Sequence, residues 1–242
     1  KLAGPERGGG EDAAGSLATL TVSGRVVDYE SCFEGCLAVP DVIVAWGGAP
    51  EVIRSEPTGA DGAFTLPGVP SGIRSDLLAI PQGSTGAGFA TTLNAMILSR
   101  GQTSNVFALQ VVVLPRDAQS IIAAFEAETG TRLDRDGGYI GQVVNDAVGG
   151  GFDAAAGVDV AHAPTQGVIR FLDAVPRLVP TEPAFQPPDA TTTSIFGVFV
   201  LGGSGTLVDP VTFAPGSPPS GYRTVVTPLI PGVVSYGLHS PR

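Results

Sequence analysis

The stretch "TGADGAFTLPGVPSGIRSDLLAIP", Thr58 to Pro81, decides how this chain reads. Asp61-Gly62 supplies the positive φ angles of a tight hairpin turn, and Phe64 and Leu66, two residues apart, then share one face of a strand. Ser71-Gly72 makes the next turn, and Leu77, Leu78 and Ile80 open another strand. Outward from this stretch the same grammar continues. "LATLTVSGRVVD", Leu17 to Asp28, alternates apolar with small or polar residues at period two, as a half-buried strand does. "VPDVIVAWGG", "TTLNAMILS" and "NVFALQVVVLP" follow at short spacing, divided by Gly, Pro, Asp and Ser turns, so the expectation is an all-β fold.

The pattern is then written a second time. "YIGQVVND" parallels "VSGRVVDY" from Val22, "AAGVDVAHAP" parallels "AVPDVIVAW" from Ala38, "GVFVLGG" parallels "GAFTLPG", and "SGYRTVVTPLIPG" parallels "SGIRSDLLAIPQG". Four matches in one order imply an internal duplication. The expected cores are Val26, Val42, Val44, Phe64 and Leu66 in the first copy, and Val143, Val158, Val160, Phe199 and Leu201 in the second. Between the copies, "PRDAQSIIAAFEAETG" predicts a short helix, capped by Asp117, running to about Thr129 and ended by Gly130. The second copy carries two insertions. In "TQGVIRFLDAVPRLVPTEPAFQPPDATTTS" the prolines favour an extended loop, while its opening "VIRFLDAV" fits either a short helix or a buried strand. The other insertion is "SGTLVDPVTFAPGSPP".

These residues resemble the carboxypeptidase regulatory-like domain, a transthyretin-like β-sandwich. Gly24, Val26, Val42, Val44, Asp61, Gly62, Phe64, Leu66, Val69, Pro70 and Gly72 match that family's pattern, and the second copy departs from it at Ser194-Ile195 before Gly197. The resemblance implies two tandem Ig-like/transthyretin-like antiparallel β-sandwiches joined by a short helix. The implied division is an extended N-terminal tail at 1–16, a first sandwich at 17–115, a connector helix and turn at 116–137, and a divergent second sandwich at 138–242. About function it is nearly silent, because one fold hosts many roles.

Composition narrows the function classes. A formal charge of −10 argues against sequence-independent binding to nucleic acid, which rests on clustered Lys and Arg. No apolar run reaches the roughly 20 residues of a membrane helix. Charged residues make up 15% of the chain, against about 25% in ordinary globular proteins, so an unusually uncharged surface invites contact with neighbours.

Cys32 and Cys36 are the only cysteines. Gly35 lets the short loop between them bend into a local disulfide, which would imply an oxidising compartment; free thiols are the alternative. His162 and His239 stand alone, so no metal site is expected, and no catalytic group or cofactor motif converges. "DRDGG", Asp134 to Gly138, is shorter than a calcium loop, and "GSTGAG", Gly83 to Gly88, lacks the Lys and the helix of a phosphate cradle.

The chain opens with "KLAGPERGGGEDAAGS" rather than Met, which leads us to expect a mature extracytoplasmic protein after signal removal; a trimmed chain would open in the same way. The Gly-rich tail is expected to be held by a neighbour. Lys1, Pro5 and Arg7, with Pro183, Phe185 and Pro187 of the Pro-rich insertion, are the candidate partner contacts. The reading is a non-enzymatic interaction and assembly protein, such as an accessory subunit of an envelope complex or a component of a surface fibre or layer. A carbohydrate-binding or adhesive module, with Trp46 or Tyr222 against a polysaccharide, is the alternative.

Overall fold

The computed structural model describes residues 18–146, 152–163, 167–182, 184–203, 211–216 and 221–241. Strand β1 (Thr19–Asp28) ends in a 3-10 turn at Glu30–Phe33 and is followed by β2 (Val42–Trp46), β3 (Ala63–Pro70) and β4 (Ser75–Pro81). A single helical turn, α1 (Thr85–Gly88), leads to β5 (Phe89–Ala90), β6 (Thr92–Leu98) and β7 (Val106–Pro115). Helices α2 (Ile121–Thr129) and α3 (Leu133–Asp136) precede β8 (Gly138–Asp146), β9 (Phe152–Ala154), β10 (Val160–Ala163) and β11 (Val168–Phe171). The chain closes with β12 (Val198–Gly202), β13 (Val211–Pro215), β14 (Val225–Thr227) and β15 (Val234–His239).

The strands form a four-stranded sheet ordered β3-β1-β7-β5, a three-stranded sheet ordered β10-β13-β14, and an eight-stranded sheet running β11-β12-β8-β15-β6-β4-β2, with β9 paired to β8. The two halves share strand registers. Gly24 stands opposite Phe64 as Gly141 stands opposite Phe199, and Val42 opposite Pro81 is matched by Val160 opposite Pro215. Two backbone clamps recur. The Thr58 hydroxyl donates to the Val39 carbonyl at 2.8 Å and accepts from Val42 N–H at 3.1 Å, as the Thr193 hydroxyl does with Ala155 at 2.6 Å and Val158 at 3.1 Å. Gly62 and Gly197 both take positive φ, 69° and 64°, and their carbonyls accept from Val26 and Val143 N–H. A Cβ at either glycine would lie 2.5 Å from the Val26 oxygen or 2.3 Å from the Val143 oxygen, so only glycine fits both turns.

Several expectations need correcting. The turn at Asp61-Gly62 is no hairpin: β2 pairs with β4, and β3 crosses to the other sheet to pair with β1. Only Gly62 takes positive φ there, while the Asp61 carboxylate accepts from Ala63 N–H. "SGYRT" does not stand where "SGIRS" stands. By register Val211–Pro215, inside the second insertion, takes the place of Leu77–Pro81, and Val225–Thr227 takes that of Thr92–Asn94. The helix is capped by Ser120, whose hydroxyl accepts from Ala123 N–H, while Asp117 accepts from Gln119 one turn earlier; Gly130, in left-handed conformation, ends it. "VIRF" is the strand β11, antiparallel to β12.

Nor are these two separate antiparallel sandwiches. The pairs β1·β7, β15·β8 and β15·β6 are parallel, and β15 joins β8 of the second copy to β6 of the first within one sheet. The first core packs Val26, Val42, Val44, Phe64 and Leu66 together, all buried. The second buries Val143, Phe199 and Leu201, with Val158 and Val160 partly buried at its margin. A third core lies between the copies. There Ile121, Ile122 and Phe125 of α2 meet Val27 and Leu114 from the first copy, and Ile140, Val198, Val200, Leu172, Val175 and Phe185 from the second.

This third core predicts that the copies unfold together. Phe125→Ala should cost about 3–5 kcal/mol, the range for truncating a large aromatic in a core. Because Trp46 is the only tryptophan, its fluorescence reports the first copy alone, whereas circular dichroism sees both. The two transitions should coincide and shift together in the variant; two separated transitions would contradict the fused core.

Candidate functional site

Where β15 and β6 part company, the interface between the copies opens into a groove of about 970 Å³. The strands run side by side only from Val234 to Tyr236, against Thr92 to Asn94. Beyond Asn94, β6 bulges: Met96 takes φ 55°, its N–H donates to the Asp76 carboxylate at 2.5 Å, and the register with β4 shifts. Gln142, Val144 and Leu238 line the groove from β8 and β15, and Phe107 and Leu109 line it from β7. Tyr29 and the Cys32–Cys36 pair also border it.

Among the described residues, β7 is paired along its length on one edge only, because β5 covers only Leu114 and Pro115 on the other. Asn94 takes the place of a strand partner at Val112, its Oδ1 accepting from Val112 N–H at 2.9 Å and its Nδ2 donating to the Val112 carbonyl at 3.0 Å. Among the described residues no strand covers this edge from Val106 to Gln110, where Ala108 bulges at φ 58° and Phe107 is 72% exposed.

The chemistry around the groove is structural. Cys32 and Cys36 are disulfide-bonded. Burial pushes the Tyr29 and Tyr236 hydroxyls up, and Tyr236 donates to Gln142 at 3.1 Å. Glu30 is buried beneath α2 with one carboxyl oxygen 2.6 Å from Ile121 N–H; desolvation pushes its carboxyl up to about 8. Beside it Arg177 bridges Asp28 and Asp117, tying the Pro-rich insertion to the first copy and to the connector. His239 is buried. Its Nδ1–H donates to the Arg223 carbonyl at 2.9 Å, and its Nε2 accepts from the Tyr139 hydroxyl at 2.8 Å. Burial lowers its imidazole to about 4, so it stays neutral, with no nucleophile to activate. His162 stacks on Phe213, and burial lowers it too. Among the described residues no group of His, Cys, Asp and Glu could hold a metal.

Of the sequence-predicted partner contacts, two lie among the described residues. Lys1, Pro5, Arg7 and Pro183 lie outside the described residues. Pro187 is exposed, but Phe185 is buried edge-on against Phe125, so its side chain serves the inter-copy core rather than a partner. Trp46 and Tyr222 form no shared platform. Trp46 sits at the β2 edge, its Nε1 donating to Ser75 at 3.1 Å and its ring close against Gly48, while Tyr222 donates to Asn145 at 2.7 Å near the end of β15. The sequence reading missed Phe107, Leu238 and the β7 edge. Its one available signal was Phe107 itself, a large apolar residue at a strand start followed by Ala108 and Leu109.

No helix among the described residues is long and apolar enough to cross a membrane. No family model and no curated protein matches the chain. Among solved structures it is similar to the shaft pilin SpaA of Lactobacillus rhamnosus GG, at 12% identity and a TM-score of 0.25, over 93% of this chain and 98% of that one. It is also similar to a streptococcal ancillary pilin, at 12% identity and a TM-score of 0.24, over 93% of this chain and 63% of that one.

Glu30 and His239 give opposite pH slopes. The unfolded chain releases the Glu30 proton near 4.5 while the fold holds it to about 8, so stability from Glu30 is lost as pH rises across that interval. His239 takes up a proton near 6.5 when unfolded but only near 4 when folded, so its contribution is complete above 6.5 and lost as pH falls toward 4. Between about pH 6.5 and 8 Glu30 acts and His239 does not, and denaturant titrations should show the Glu30 contribution as a loss of about 2 kcal/mol. Glu30→Gln, which mimics the protonated acid, should flatten that slope; an unchanged slope would place the titrating group elsewhere.

The disulfide closes a five-residue loop, so removing it with Cys32→Ser/Cys36→Ser should cost about 2 kcal/mol on chain-entropy grounds. Titration of the unfolded, unreduced protein should find no free thiol.

Proposed function

We propose that this chain is a non-enzymatic, extracytoplasmic interaction and assembly module, a subunit of an envelope complex or of a surface fibre or layer, that holds a protein partner in the groove between its two copies. The observation that carries this reading is the uncovered edge of β7 beside the exposed Phe107. A strand edge offers its N–H and C=O groups to an incoming chain, and a groove beside it gives that chain's side chains somewhere to go. One end of the groove is built to stay still: Tyr29 and the disulfide border it, and the inter-copy core and the Arg177–Asp28 bridge adjoin Tyr29. A rigid groove loses little entropy on binding. The disulfide fits an oxidising compartment, and the titratable groups around the groove are engaged in packing and hydrogen bonds rather than poised for proton transfer.

A photo-reactive side chain placed at position 107 or 238 should capture one defined partner in the native assembly, and one at Val52, 80% exposed on the loop after β2, should not. Phe107→Asp should shrink the assembled particle while leaving thermal unfolding unchanged. Equal capture at all three positions, or an unchanged particle, would overturn the reading.

A further inference from the structure

A second cavity of about 320 Å³ continues the groove, sharing Met96, Arg223 and Leu238 with it. Three arginines line it: Arg74, Arg100 and Arg223. Their convergence is unusual for a chain of net charge −10. Arg116, Arg132, Arg135, Arg170 and Arg177 are all ion-paired with carboxylates. Arg100 and Arg223 form no ion pair among the described residues, and both are exposed. Arg74 donates to the Val226 carbonyl at 3.2 Å and feels Asp76, whose carboxylate is engaged with Met96 N–H. Arg74 also feels the like charge of Arg100. Among the described residues these like charges have little acid beside them, which leaves a local excess of positive charge.

We infer that the arginine pocket and the β7 edge form one site, and that its occupant is an extended acidic polypeptide segment of a second protein chain. The two halves of the site choose this class together. The arginines call for carboxylates, which guanidinium groups grip through paired N–H donors. The strand edge calls for a peptide backbone, which a polysaccharide does not offer in ladder spacing. The segment would lie along Val106 to Gln110, its apolar side chains against Phe107 and Leu238, and pass its carboxylates to Arg223 and Arg100. This inference rests on the groove being the interaction site and adds the chemistry of what enters it.

The test uses the full chain and a labelled peptide, GGGEDAAGS, the acidic Gly-rich sequence this chain itself carries at 8–16, beside the same peptide with Gln and Asn in place of its acids. In 25 mM NaCl the acidic peptide should bind with a Kd below about 1 mM, at least tenfold tighter than the amide version, and salt at about 300 mM should weaken it as screening predicts. Arg100→Glu and Arg223→Glu should each weaken binding about tenfold. Arg54→Glu, an exposed arginine elsewhere, should leave it unchanged. Phe107→Asp should weaken both peptides. Equal binding of the acidic and amide peptides, or indifference to Arg100→Glu and Arg223→Glu, overturns the inference. So does a sulfated polysaccharide that binds through the arginines where the acidic peptide does not. In any of these cases persistent capture at position 107 leaves the groove reading standing, whereas loss of that capture removes both.

Discussion

The last strand, β15, has partners on both edges, and the architecture depends on that. It runs parallel to β8 across Val234 to His239 and parallel to β6 across Val234 to Tyr236. Over Val234 to Tyr236, where it has both partners, the strand has no exposed edge to blunt and its backbone groups are satisfied inside the sheet. Through this one segment a sheet of the second copy continues into a sheet of the first. The side chains follow the backbone: Val234 enters the inter-copy core, and Tyr236 packs at its margin against Tyr29 at 5.0 Å between ring centroids. The ring nitrogens of His239 are bonded to Tyr139 and to the Arg223 carbonyl.

Against this shared frame, the copies keep the same backbone devices and change the packing. The clamps of Thr58 and Thr193 and the turns of Gly62 and Gly197 recur because they satisfy main-chain groups and permit positive φ, demands that do not depend on core contents. The cores differ in kind. The first is mostly aliphatic, with Phe64 its one buried ring, whereas the second stacks Tyr139 on Phe213 with centroids 3.9 Å apart and leans both on Phe199. Aromatic rings fill the same depth of sandwich with fewer residues. The Pro-rich insertion contributes inward as well as outward, sending Leu172, Val175 and Phe185 into the core between the copies.

The groove is a by-product of the same geometry. Two sheets fused through a strand must diverge where the shared pairing ends, and the bulge at Met96 ends it. An uncovered edge would ordinarily be a liability. Here, among the described residues, it borders a groove that the disulfide also lines and that continues into the cavity lined by three arginines.

The β class, the strands from Leu20 to Leu66, the first core and the disulfide were legible in the sequence, because period-two alternation, Gly and Asp at turns, and local cysteine spacing all act over a few residues. Helix α2 was legible for the same reason, down to Gly130, though its cap lay three residues later than Asp117. The pairing of β3 with β1 instead of a hairpin, the true counterpart of β4 in Val211–Pro215, the burial of Phe185, the fusion through β15 and the arginine pocket were decided only in three dimensions. Each depends on which distant segment supplies the missing hydrogen bonds or covers the apolar face. Nothing in the neighbours of Arg74, Arg100 and Arg223 along the chain says that they will meet; their meeting follows from strand order, set by the energy of the whole sheet rather than by any one strand.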